Sequence, residues 1–88
     1  MNYSVFIHPK AKTFLDKRDQ EVRKRIRKKL EELKQYPERG NHLRYSAFWA
    51  LRVGNYRIIY EIDKNEKKVI ILFIGDRKDV YNDFSRLF

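Results

Sequence analysis

The stretch Phe48-Trp49-Ala50-Leu51-Arg52-Val53-Gly54-Asn55-Tyr56-Arg57-Ile58-Ile59-Tyr60-Glu61-Ile62 sets the architecture. Two runs rich in aromatic and β-branched residues flank Gly54-Asn55, so the segment predicts a β-hairpin with a two-residue turn. Such a turn also fixes the register. Val53 then pairs with Tyr56 and Arg52 with Arg57, while Tyr56 and Tyr60 fall on the face opposite Arg57 as core residues. Two guanidinium groups thereby oppose each other on one face, and like charges so placed destabilise a sheet. Either they splay outward or are neutralised by Glu61 or a loop acid, or they form an anion site suited to clamping a phosphate. Arg77 could join such a site, but its strand register is not fixed by sequence.

Beyond the hairpin, Asp63 to Lys67 is a polar loop. Val69-Ile70-Ile71-Leu72-Phe73-Ile74 lacks polar alternation, which predicts a central strand covered on both faces and ended by Gly75. Asp79 to Phe88 predicts a short last helix with Val80, Phe84 and Leu87 inward. Before the hairpin, Glu38-Arg39-Gly40-Asn41 reads as a turn, and Pro37 stops a helix near Tyr36. That helix carries Val22, Ile26, Leu30 and Leu33 on one stripe, with Asp19 as its N-cap and Glu21 in its first turn. Pro9 opens a shorter helix over 9–18, with Ala11, Phe14 and Leu15 on one face. Tyr3, Val5 and Ile7 alternate with Ser4, Phe6 and His8 as a first strand. The order β-α-α-β-β-β-α predicts an α+β fold: a mostly antiparallel sheet packed by an N-terminal helical hairpin, in a single domain over 1–88.

The 88 residues hold 21 Lys+Arg against 12 Asp+Glu, a formal charge of +9. With 42% hydrophobic and 15% aromatic residues the chain is too apolar for a disordered basic tail. The charge therefore sits on a folded body, whose expected partner is polyanionic. Absent cysteines exclude a disulfide scaffold, a thiolate metal site and a Cys nucleophile. His8 and His42 are too few for an all-histidine metal site, so no metal and no cofactor is expected. No run approaches the ~18 apolar residues of a membrane span. Without a signal-like N-terminus the expected compartment is the cytoplasm.

The excess charge is unevenly placed. Residues 1–18, 19–36 and 37–57 each carry +3, and 58–88 is neutral. Arg23, Lys24, Arg25, Arg27, Lys28 and Lys29 crowd the long helix, as a solvated face or as a phosphate-tracking surface. Lys24, Arg27 and Lys28 are the candidate RNA contacts there, with Arg44 from the loop before the hairpin. Trp49 is either a core or partner contact or a base-stacking platform. His8 reads as structural, and His42 lies in a loop beside Leu43-Arg44, either as an ordinary loop residue or with a role at the RNA surface.

Leu51-Arg52-Val53-Gly54-Asn55-Tyr56-Arg57-Ile58-Ile59-Tyr60, followed by Ile74-Gly75-Asp76-Arg77-Lys78-Asp79-Val80-Tyr81, resembles the RelE/ParE superfamily of toxin–antitoxin toxins. The resemblance covers the whole chain. It implies a microbial-ribonuclease-like fold, here of the RelE-like branch. That branch cleaves mRNA on the ribosome, the 2′-hydroxyl attacking the adjacent phosphate, and a RelB-like antitoxin silences it in a hetero-oligomer. The resemblance gives Arg57 the scissile-phosphate contact, Arg77 transition-state stabilisation and Tyr81 base stacking or proton transfer. Arg52 matches a basic position shared by many relatives. Phe48 and Ala50 stand where well-studied relatives carry lysines, and Asp76 where many carry His. Because arginine stays protonated below about pH 12, Arg52, Arg57 and Arg77 suit charge stabilisation. Proton transfer is left to Tyr81, Asp76, Arg44 or ribosomal groups. A ParE-like inhibitor of DNA gyrase and a catalytically degenerate homologue are the alternatives. The expected antitoxin is acidic and partly disordered, covers the basic face and displaces the segment from Asp79 to Phe88.

Overall fold

The computed structural model describes residues 2–78. The chain begins with β1 (Ser4–Ile7), α1 (Pro9–Asp16) and α2 (Gln20–Leu33). A 3-10 turn (Pro37–Arg39) leads to β2 (Asn41–His42), β3 (Phe48–Val53), β4 (Tyr56–Asp63) and β5 (Lys68–Asp76). The helix starts are chemically marked. The His8 Nδ1 accepts from the Lys10 N–H at 3.2 Å with Pro9 at the first helical position, which gives His8 a structural role. The Asp19 carboxylate accepts from the Val22 N–H at 2.9 Å, as an N-cap should. α2 ends at Leu33, three residues short of the expected stop, and its Ile26, Leu30 and Leu33 are buried.

The strands form one sheet in the order β1-β5-β4-β3-β2. Three neighbouring pairs are antiparallel, but β1 runs parallel to β5, so the sheet is mixed. β1 and β5 are joined through both helices and three strands, and only a long connection lets neighbours run parallel. The β4–β5 ladder slips by one residue between Ile59 and Tyr60. Ile59 faces Phe73 and Tyr60 faces Ile71, which leaves Leu72 as the extra residue of a bulge.

The main core lies between the helices and one face of the sheet. It joins Ala11, Leu15, Ile26, Leu30 and Leu33 to Leu51, Val53, Ile58, Tyr60, Val69, Ile71 and Ile74. Ala50, Ile59 and Leu72 form a second buried cluster, flanked by Leu43, Phe48, Ile70 and Phe73. β5 is therefore covered on both faces, as its unbroken apolar run predicts.

Three expectations change. Gly75 does not end β5: it pairs with Arg57, and the strand runs on to Asp76 opposite Tyr56. Asn41 leaves the turn and His42 the expected loop to form β2, because their backbones find partners in Ala50 and Trp49 of β3. The expected helix over 79–88 lies outside the described residues.

Candidate functional site

Gly54 has φ +59°, in the left-handed region that a two-residue hairpin turn requires and that a Cβ disfavours. This turn delivers the register expected from sequence: Val53 opposite Tyr56 and Arg52 opposite Arg57. Across β4, Arg57 pairs with Gly75 of β5, a neighbour without a side chain. The ladder then continues past β5, since the Arg77 N–H donates to the Asn55 carbonyl at 2.8 Å. Strand alternation places Arg77 on the Gly75–Arg57 side, one pleat beyond that row. Strand register thus sets three arginines, on β3, on β4 and just past β5, at one corner of the sheet face opposite α1 and α2.

Arg52 and Arg77 are exposed, and Arg57 is half-buried. Among the described residues neither Arg52 nor Arg77 enters an ion pair. Glu61 shares the Arg57 face, but four residues along β4 carry it about 13 Å away. It forms no ion pair among the described residues, so it does not neutralise the Arg52–Arg57 row. An exposed corner of guanidinium groups suits a phosphate, which accepts charge-assisted, forked hydrogen bonds from them.

The other sequence-derived candidates are placed elsewhere. Asp76 pairs with Tyr56 and so faces the opposite side, and its carboxylate accepts from the Lys78 N–H at 3.0 Å. It is not delivered to the arginines as a base. Tyr81 lies outside the described residues. Lys24, Arg27 and Lys28 are exposed on α2, which packs on the other face of the sheet. Arg44 is exposed in the β2–β3 loop, beyond the far end of β3 from Arg52. Trp49 pairs with Tyr60 on the helix-covered face and packs against the main core. It is stacked between His42, at 4.7 Å, and Tyr60, at 6.3 Å. The arginine corner therefore gains no stacking platform from Trp49.

One residue reaches the hairpin turn from the helical side without a sequence signal of its own. The Arg25 Nη1 lies 3.2 Å from the place a Cβ on Gly54 would take. α2 thereby brings a further guanidinium to the hairpin turn. In the sequence Arg25 is one of six basic residues crowded between positions 23 and 29, and only the docking of α2 distinguishes it. Among the described residues no group of three His, Asp or Glu could hold a metal ion, and no helix is long and apolar enough to cross a membrane.

A family model described as the ParE toxin of type II toxin–antitoxin systems matches residues 5–81. The RelBE2 toxin–antitoxin complex of Mycobacterium tuberculosis contains a chain that is 27% identical, with a TM-score of 0.80. That match covers 88% of this chain and 100% of the other. A chain of the archaeal RelE–RelB complex from Pyrococcus horikoshii is 24% identical with a TM-score of 0.79, over 88% of this chain and 97% of that one. A free-state E. coli RelE mutant is 21% identical with a TM-score of 0.81, over the whole of both chains. These last two likenesses concern the fold. No curated protein matches the sequence.

Proposed function

We propose, from the premise that the chain belongs to the ParE toxin family of type II toxin–antitoxin systems and has a RelE-like fold, that it is a ribosome-dependent mRNA endoribonuclease. The observation that carries this reading is the register Arg52–Arg57–Gly75 with Arg77 beside it. In the proposed reaction the 2′-oxygen of a nucleotide attacks the adjacent phosphorus. The bond to the 5′-oxygen of the next nucleotide breaks, giving a 2′,3′-cyclic phosphate and a 5′-hydroxyl. Negative charge accumulates on the non-bridging oxygens in the transition state. Arg57 and Arg77 stabilise that charge, and Arg52 holds the flanking phosphate. Arginine does not take up the proton of the 2′-hydroxyl. With Asp76 turned away, Tyr81 or groups of the ribosome carry it. Lys24, Arg27, Lys28 and Arg44 contribute backbone contacts to ribosomal RNA from other faces of the molecule.

The partner that restrains the toxin is a RelB-like antitoxin in a hetero-oligomer. The related M. tuberculosis chain sits in such a complex, and a charge of +9 suits an acidic antitoxin. The cytoplasm is the compartment where ribosome and antitoxin are met.

Arg57→Ala and Arg77→Ala should each lower mRNA cleavage by about 10²–10³-fold and relieve growth arrest while circular dichroism stays native. Either variant arresting growth as strongly as the parent would remove the assigned site. The match to a ParE model favours one other reading, inhibition of DNA gyrase. Mapping the 5′ ends of ribosome-bound mRNA on induction separates them. New ends support the nuclease, whereas intact mRNA with DNA-damage signalling supports gyrase.

A further inference from the structure

The end of the sheet remote from the arginine corner carries a second aromatic and basic cluster that the proposed reaction does not use. Tyr60, Trp49 and His42 form a cross-strand stack running outward from the core to the edge strand β2. The outer pair is nearly parallel, with an interplanar angle of 10°. His42 is exposed, and its Nε2 lies 2.7 Å from the Ser46 carbonyl, which fixes the ring against Trp49. The Ser46 hydroxyl in turn donates to the Leu43 carbonyl and accepts from the Phe48 N–H, so the loop is internally braced.

At the tip of this braced loop, Tyr45 is fully exposed, at 101%. Its φ of +56° is a conformation that residues with a Cβ adopt at a cost. The loop holds an aromatic ring in solvent and accepts backbone strain in doing so, a combination that points to a contact surface. Arg44 beside it is exposed and enters no ion pair among the described residues.

We infer that His42, Arg44 and Tyr45 bind one unpaired nucleotide of RNA. Its base stacks on the open face of His42, extending the Tyr60–Trp49–His42 ladder by one ring, and Tyr45 closes over it. Its phosphate pairs with Arg44. Exposed rings beside an unpaired arginine are the elements by which proteins hold single-stranded bases, since every base offers a π-face. The inference deepens the nuclease reading and rests on it for the choice of RNA. It places a grip on the substrate strand well away from the cleavage site.

Trp49 is the sole tryptophan, so its fluorescence reports on this stack directly. The probe is a short single-stranded 2′-O-methyl oligoadenylate, which lacks the attacking hydroxyl and is not cut. It should quench Trp49, whereas a duplex of the same length should not. His42→Ala and Tyr45→Ala should each weaken the quenching titration by roughly 5- to 150-fold, the range for loss of one base stack. His42→Phe, which keeps a stacking ring, should retain it. Equal quenching by duplex, or a titration unchanged in both alanine variants, overturns the inference. So does loss of quenching in Arg57→Ala alone, which locates the oligonucleotide at the arginine corner. Failure of the nuclease reading shows up separately, as growth arrest that persists in Arg57→Ala and Arg77→Ala.

Discussion

Tyr60 is fully buried, and its hydroxyl ties the segment after α2 to the sheet. It donates to the Pro37 carbonyl at 2.8 Å and accepts from the Gly40 N–H at 3.0 Å. A Cβ on Gly40 would come within 2.8 Å of that same oxygen, so glycine is needed for the approach. Tyr60→Phe should cost about 1–3 kcal/mol in denaturant unfolding at neutral pH, because both backbone partners lose their bond. Burial pushes the Tyr60 hydroxyl above its usual pKa of 10.0, the Gly40 N–H opposes this, and Glu38 adds to the rise. A folded-state pKa above the unfolded one means that the folded protein holds the proton more tightly. That stabilisation is complete below about pH 10 and is lost as the pH rises through the folded-state value. Unfolding curves should therefore show stability falling above pH 10, less steeply in Tyr60→Phe. Parallel curves would assign the alkaline loss to other groups. The pairing of Arg52 with Arg57 is equally a residue-level fact, and it was legible because a two-residue turn leaves one register. Arg25 was not legible, because its neighbours in sequence are chemically the same.

The β3–β4 hairpin sets Arg52 directly opposite Arg57, and like charges so placed work against a sheet. Arg52→Thr should raise the thermal midpoint by a few degrees at low ionic strength and lower cleavage in the same protein. The midpoint difference should shrink with added salt, which screens exposed charges. A gain that persists in high salt would mean that threonine's packing in the strand, rather than relief of repulsion, is responsible. β5 shows how far element-level reading reaches. Its apolar run correctly predicts a strand covered on both faces, but not its partners. Gly75 reads as a terminator in sequence because glycine is a poor strand former, yet pairing with β4 holds it in the ladder. The bulge at Leu72 has no sequence signature either, since it reflects two strands fitting one another.

On the scale of the whole molecule, exposed basic residues lie on both sides of the sheet. Lys24, Arg27 and Lys28 lie on the helical layer and the arginine corner on the opposite face. Affinity for ribosomes should fall with salt along a straight log–log line, and Lys28→Ala or Arg57→Ala should each reduce its slope by about 1. Sedimentation with ribosomes over a salt series measures this, and an unchanged slope for a variant shows that its side chain meets no phosphate. By itself the sequence determined the helical hairpin, the β3–β4 register and the charged surface, because caps, periodicity and turn chemistry act over a few residues. Tertiary structure alone decided that β1 lies parallel to β5, that Gly75 opens space beside Arg57, and that Arg77 joins Arg52 and Arg57. It also turned Asp76 away and locked Trp49 between His42 and Tyr60. These outcomes depend on which strands become neighbours, and that is settled by burying apolar surface from segments far apart in the chain.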